Sequence, residues 1–371
     1  MTFATLLKNP ARSLSRVVTE FSRRLEPVDN AGLSNLARQS QAISRRFFGR
    51  TMRLFAPLYF SNECINNCVY CGFSRDNRVL RVTLTLDQVE QEARYLAERG
   101  FRSLLLVSGE HPKFIPNRYL QEVVQRVNQI VPSIGLEIAP LKVEDYRPLV
   151  RAGAEALVVY QETYDRDVYA TLHTAGPKRD FDWRVECPER GYEAGFRRLG
   201  VGALLGLSDW RQEALRLAEH VEYLLRRCWR AQITIALPRL RPAAGGFTPT
   251  VKLSDRDLIQ LLCAFRVSFP QIGIVLSTRE PAALRDILMN LGVTTMSAGS
   301  CTAPGGYTGQ GRTSLHYTVR GNFSEAEVCP SGAEPQFAID DQRTAKQVAE
   351  AISRIGLEPV WKDWDTAIVK E

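Results

Sequence analysis

The stretch Leu58–Phe73 reads LYFSNECINNCVYCGF and sets three cysteines, Cys64, Cys68 and Cys71, in the pattern C-x3-C-x2-C. They follow an apolar run, Leu54–Phe60, that reads as a strand, so the thiols fall on the loop at its end. Three closely spaced thiolates can ligate three corners of a [4Fe-4S] cluster and leave the fourth iron without a protein ligand. An open iron is a place for chemistry, whereas a fully ligated cluster only carries electrons. Zinc in a structural role wants four ligands, often as two C-x2-C pairs, and the chain has no second pair. Unliganded buried cysteines are common, but rarely three together beside Asn62, Glu63, Asn66 and Asn67.

Outward from this loop the chain alternates between two periods. Short, near-continuous apolar runs recur at Ser103–Val107, Gly135–Ala139, Ala156–Tyr160, Val201–Leu205, Gln232–Leu237, Ile272–Leu276 and Thr294–Ser297. Such runs fit strands buried on both faces of a parallel sheet. Between them lie amphipathic helices. Thr85 and Gln88 predict a capping box, Leu86, Val89, Ala93 and Leu96 share one face, and Gly100 ends the element. Further helices are expected near Arg118–Val131, Trp183–Arg198, Asp209–Cys228, Ser254–Ser268, Pro281–Leu291 and Arg343–Ile355. Eight strands with crossover helices predict an α/β protein, a (β/α)8 barrel over residues 51–303. A helical lead-in, residues 1–50, covers one end of it. An extension, residues 304–371, packs on it, with loose loops at 309–333 and tryptophans near the C-terminus as a plug.

In such barrels chemistry sits where strands end. The residues following the runs include Gly109-Glu110, Gln161-Glu162-Thr163, Pro238-Arg239-Leu240-Arg241 and Ser277-Thr278-Arg279-Glu280. That many charged groups at one rim predict a site for a polar, zwitterionic ligand. Arg279 can grip a carboxylate with two parallel hydrogen bonds and Ser277 can add a third, with Arg239 and Arg241 as rivals. Glu162 and Arg184 are either ligand-binding groups or a surface ion pair. His173, one of 4 histidines, is a candidate near the substrate.

Composition narrows the class. With 44% apolar and 24% charged residues the chain reads as soluble and globular, and no apolar run reaches the ~18 residues of a membrane span. The N-terminus lacks a signal-peptide core, and eight cysteines in 371 residues make no disulfide scaffold. A thiolate site needs a reducing compartment, which predicts a cytoplasmic protein. The net charge of +7 comes without basic runs interleaved with aromatics, so nucleic acid is not an expected partner. Arg75, Arg78 and Arg81 follow the cysteine loop and are expected to form a docking face for an acidic electron donor such as a flavodoxin.

The C-x3-C-x-aromatic-C loop after a first strand resembles the radical S-adenosylmethionine (SAM) enzymes. The resemblance implies that the open iron chelates SAM, that Tyr70 packs near its adenine, and that Gly109 and Glu110 hold its amino group. Glu162 would meet the ribose or amino group and Arg184 the carboxylate. SNECINNCVYCGFSRDNR, LLLVSGEH, VVYQETY, ALPRLRP, LSTRE, APGGY and EPVWKDWD further resemble the tyrosine lyases of thiamine biosynthesis. That implies cleavage of L-tyrosine to 2-iminoacetate and p-cresol, a thiazole synthase as partner, and a flavodoxin- or ferredoxin-type donor. Two relatives are alternatives, a tryptophan lyase and the tyrosine lyase of hydrogenase maturation. The latter carries a C-terminal C-x2-C pair, and here only Cys301 and Cys329 lie in the last quarter. A zinc-bound, non-catalytic binding protein is the alternative from another class.

Overall fold

The computed structural model describes residues 2–8, 13–320, 322–325 and 332–361. Cys329 and Trp364 lie outside the described residues, so the plug expected of the terminal tryptophans is described only at Trp361, whose ring meets Phe101 edge-on.

Eight strands form the barrel: β1 (Thr51–Ser61), β2 (Ser103–Ser108), β3 (Ser133–Glu137), β4 (Ala154–Glu162), β5 (Arg198–Ala203), β6 (Gln232–Ala236), β7 (Gly273–Leu276) and β8 (Thr295–Ser297). Each pairs in parallel with the next, and β8 closes on β1 with Arg53 opposite Thr295 and Phe55 opposite Ser297. A short strand, Glu358–Val360, adds to the base of β1. All eight expected strands are present.

Alternation divides the faces. Leu54, Ala56, Leu58 and Phe60 of β1 are buried in the main core, while Phe55, Pro57 and Tyr59 line the barrel interior. The interior is not filled by large side chains throughout. Gly135, Gly200 and Gly273 stand level with Leu105, Val158 and Thr234, and an added Cβ on Gly273 would come 2.8 Å from the Thr234 methyl. The small residues leave a cavity in the barrel.

The capping box at Thr85 and Gln88 starts the helix Leu86–Glu98 as expected. The helix expected at 183–198 is instead two, Phe181–Val185 and Cys187–Ala194, because Pro188 suits a helix start and breaks a helix interior. Helices Val143–Ala152 and Arg166–Leu172 escaped the sequence reading, the first because Pro148 sits inside it. Lead-in helix Arg16–Arg24 packs on the outer helices Trp210–Arg227 and Asp255–Ser268, and Asn30–Phe48 on the latter. Gln41 and Ser40 of that second helix bond the carbonyls of Asn290 and Leu291, in the turn before β8. The loops expected at 309–333 are partly regular: His316–Val319 and Asn322–Glu325 form a hairpin that pairs with Leu80–Arg81.

Candidate active site

The cysteine loop leaves β1 at the carboxyl-terminal mouth and is held by polar groups that the sequence places around it. The Asn62 amide donates to the carbonyl oxygens of Leu80 (2.9 Å) and Glu334 (3.2 Å) and accepts from the Val82 N–H (2.8 Å). Asn77 donates to the carbonyls of Cys71 and Gly72 (3.1 Å each). Arg81 is fully buried and donates to the carbonyls of Thr318, Asn62, Phe73 and Ser74. It therefore cannot belong to the exposed docking face expected of it; only Arg75 and Arg78 of that trio reach the surface.

All three thiols are free, and burial pushes each of them up. Cys68 and Cys71 are raised further by neighbouring thiols, while Lys178 draws them down. Among the described residues no set of three or more His, Cys, Asp or Glu converges to hold a single metal ion. Three thiols on one loop, with no fourth thiol or imidazole beside them in the sequence, suit three corners of a cluster better than a four-ligand zinc site.

Beside the loop a second cluster forms. Glu162 ends β4 at a break in its register with β5 and takes a positive φ of 74°, which re-aims its side chain. Lys178 bonds its carboxylate at 2.8 Å and Arg184 lies 3.7 Å away. Burial alone would raise Glu162, but these two cations outweigh it and hold the carboxyl below its ordinary range. Asn66 links this cluster to the next strand end, accepting from the Lys178 N–H and donating to Glu110 at 2.5 Å. An added Cβ on Gly109 would come 2.2 Å from the Glu63 carbonyl oxygen, so only glycine lets this strand end lie against the loop. The structure thus gathers Tyr70, Gly109, Glu110, Glu162 and Arg184 around the three cysteines. Lys178 went unread in the sequence, where a lysine in a Gly-Pro-Lys turn carries no periodic signal, and Asn66 was read only as a polar neighbour of the cysteines.

His173 is placed differently from expectation. It is buried behind Tyr70, with Nδ1 donating to the Tyr169 carbonyl and Nε2 accepting from the Tyr70 hydroxyl, both at 2.8 Å. Burial lowers its pKa to about 3, so it is neutral, and it does not line the barrel cavity. Its contacts orient Tyr70.

A third group lines the mouth itself, a cavity bounded by Tyr59, Glu137, Tyr160, Ser277, Arg279, Ser300 and Phe337, among others. Arg279 stacks on the Phe337 ring with its guanidinium carbon 3.3 Å from the centroid and makes no ion pair among the described residues. Its rivals are occupied. Arg239 is held by Glu280, Asp255 and the Leu253 carbonyl, and Arg241 pairs with Asp340. The Ser277 hydroxyl accepts from the Arg279 N–H at 3.4 Å. Gln336 bridges this cavity and the loop: its oxygen takes the Tyr59 hydroxyl at 2.8 Å and its nitrogen lies 4.0 Å from the Cys71 sulfur.

A parallel barrel whose first strand delivers three closely spaced thiols to its mouth is the architecture of the radical SAM class. Residues 58–219 match the radical SAM superfamily, and residues 236–358 match the Biotin and Thiamin Synthesis associated domain. The chain belongs to the 2-iminoacetate synthase family: it is 39% identical over 343 residues to the 2-iminoacetate synthase of Escherichia coli, covering 92% of this chain and 86% of that protein. The same enzyme from Salmonella typhimurium is 38% identical with the same coverage. Among solved structures, the FeFe-hydrogenase maturase HydG from Carboxydothermus hydrogenoformans superposes with a TM-score of 0.83 at 33% identity, over 97% of this chain and 80% of that one. Methylornithine synthase, at 20% identity and a TM-score of 0.73, shares the fold. No helix among the described residues is long and apolar enough to cross a membrane.

Proposed function

We propose that this chain is a lyase that cleaves the Cα–Cβ bond of L-tyrosine to 2-iminoacetate and p-cresol, for the thiazole of thiamine. The observation that carries the reading is Arg279, a cavity-facing guanidinium with no ion pair among the described residues, on the same mouth as the three thiols. An amino-acid carboxylate supplies the missing partner with two parallel hydrogen bonds.

In this reading Cys64, Cys68 and Cys71 would hold a [4Fe-4S] cluster with SAM beside it, and together these would supply the radical chemistry that removes a hydrogen atom from the substrate amino group. The chain's own residues do the rest. Glu110, held by Asn66, accepts from the SAM amino group, and Arg184 meets its carboxylate. Glu162 keeps Oε2 open for a ribose hydroxyl while both cations crowd Oε1. Tyr70, fixed by His173, packs against the adenine. Arg279 and Ser277 orient the substrate, and the closed barrel wall keeps bulk water from the imine product.

Two partners follow from the same reading. A thiazole synthase takes up the imine, and a flavodoxin- or ferredoxin-type donor docks over Arg75 and Arg78, beside the thiol loop. Reversing those two charges should slow donor-driven reduction and flatten its salt dependence without changing dithionite-driven turnover. The main test is an anaerobic product assay with SAM, reductant and either L-tyrosine or L-tryptophan. Tyrosine-dependent p-cresol with 5'-deoxyadenosine is expected. Deoxyadenosine without p-cresol would remove tyrosine as the substrate, and neither product from cluster-loaded protein would remove the enzyme class.

A further inference from the structure

One charged group in the mouth has no task in the scheme above. Glu137 is the last residue of β3, four strands from β7, so it stands across the barrel from Arg279. Both line the same cavity. Among the described residues the Glu137 carboxylate has no hydrogen bond and no ion pair, and it lies beyond 4 Å from Arg279. A carboxylate is rarely placed inside a barrel without a partner, because removing it from water is costly unless something compensates. A carboxylate with no direct partner on the cavity wall points to a ligand that brings a positive charge.

Chemistry names that charge and adds a requirement. A free amino acid enters as a zwitterion, with its ammonium one carbon away from the carboxylate. A hydrogen atom is to leave the amino nitrogen, and this needs a neutral amine, so a base must first take one proton from the ammonium. We propose that Glu137 is that base: with the carboxylate of the substrate on Arg279, the ammonium faces Glu137, and one proton passes from nitrogen to a Glu137 oxygen. The step makes a neutral amine and a carboxylic acid, and no electron moves. It rests on the tyrosine-lyase reading and gives that reading a catalytic residue.

The surroundings tune the group for the task. Burial raises the Glu137 pKa to about 7, and the charge of Glu162 adds to the rise. Arg279, Arg184 and Lys178 offset part of it. Tyr59 of β1 and Tyr160 of β4 also face it, and both are held neutral by burial. A carboxyl tuned this far is a far better proton acceptor than an ordinary glutamate, which is acidic by some three powers of ten relative to neutral pH.

The test is the pH profile of p-cresol and 5'-deoxyadenosine formation in wild type, Glu137→Gln and Glu137→Asp, with SAM affinity measured in each on cluster-loaded protein. In wild type, turnover should rise with pH up to about 7 as the carboxylate forms, then level off. Glu137→Gln should lose at least ~100-fold near pH 7. It should then recover steadily toward alkaline pH as solution supplies the neutral amine, and Glu137→Asp should fall between. SAM affinity should stay within about twofold, since Glu137 touches no SAM group in the scheme. A glutamine variant at wild-type rate, or one whose loss does not recover with pH, overturns the proposal. A wild type that makes no p-cresol from tyrosine overturns the underlying reading instead, so the two failures are separate.

Discussion

The thiol side and the substrate side of the mouth are built on opposite principles. Around Cys64, Cys68 and Cys71 buried side chains answer the backbone: Asn62, Asn77 and Arg81 between them bond carbonyls from the loop, the hairpin and the C-terminal segment. Across the cavity, Arg279 and Glu137 face each other's half of the barrel without an ion-pair partner among the described residues. A region satisfied in advance suits a resident group that must not move. A region left with two unpaired charges of opposite sign suits a ligand that comes and goes and brings the complementary pair. Pre-satisfied groups give stability and unpaired ones give affinity, and a single barrel rim holds both.

The sharpest way to break this contrast is at the thiols. Replacing any one of Cys64, Cys68 or Cys71 with alanine should abolish cluster assembly, read as loss of the brown absorbance, together with all 5'-deoxyadenosine formation. Full cluster content in Cys64→Ala would remove the resident-group account. Next comes Arg81→Leu, which removes the donor to five backbone carbonyls in the loop and hairpin. It should lower unfolding free energy by about 3–5 kcal/mol in denaturant titration, an effect too large for a surface arginine. On the opposite side, Arg279→Ala should leave the melting temperature nearly unchanged and raise the tyrosine KM about 10–100-fold, two charge-assisted hydrogen bonds being lost. A large stability loss there would mean that the guanidinium is structural after all.

The smallest effect concerns pH. His173 titrates near 3 in the folded chain against about 6.5 when unfolded, because burial disfavours its charged form. Its neutral form is the folded one, so its contribution is complete above pH 6.5 and is lost as pH falls toward 3. By pH 5.5 the loss should be about 1 kcal/mol, and His220, also lowered to about 3 by burial, acts with the same sign. His173→Gln should therefore flatten the acid limb of the stability profile, with little change above neutrality.

Period and spacing carried most of the fold. The eight apolar runs are short, flanked by turns and spaced by helical patterns, and each became a strand of the barrel. The failures have local causes. A proline that starts a helix split the segment at 187–188, and another at 148 hid a helix whose flanks were sound. Site residues at strand ends were readable because topology puts strand ends together. His173 misled because a lone histidine carries no sign of whether it faces a cavity or a core. Arg81 misled because an arginine near a charged loop reads as surface until the hairpin that buries it, distant by more than two hundred residues, is in view. Glu137 offered a signal that went unused: a charged residue inside an otherwise apolar strand run has to have a reason.

That distant hairpin has a consequence for how the protein is made. The cover over the thiol loop comes from His316–Val319, Glu334 and Gln336, and the base of β1 is completed only by Glu358–Val360. A ribosome adding ~5–20 residues per second leaves the loop bare for roughly tens of seconds after its cysteines emerge. If the thiols take up the proposed cluster, the sulfur atoms stand open to an iron donor during that interval, and the arrival of the last fifty residues shuts the door. Truncation before the hairpin would thus yield a chain that can be loaded but cannot retain what it was given.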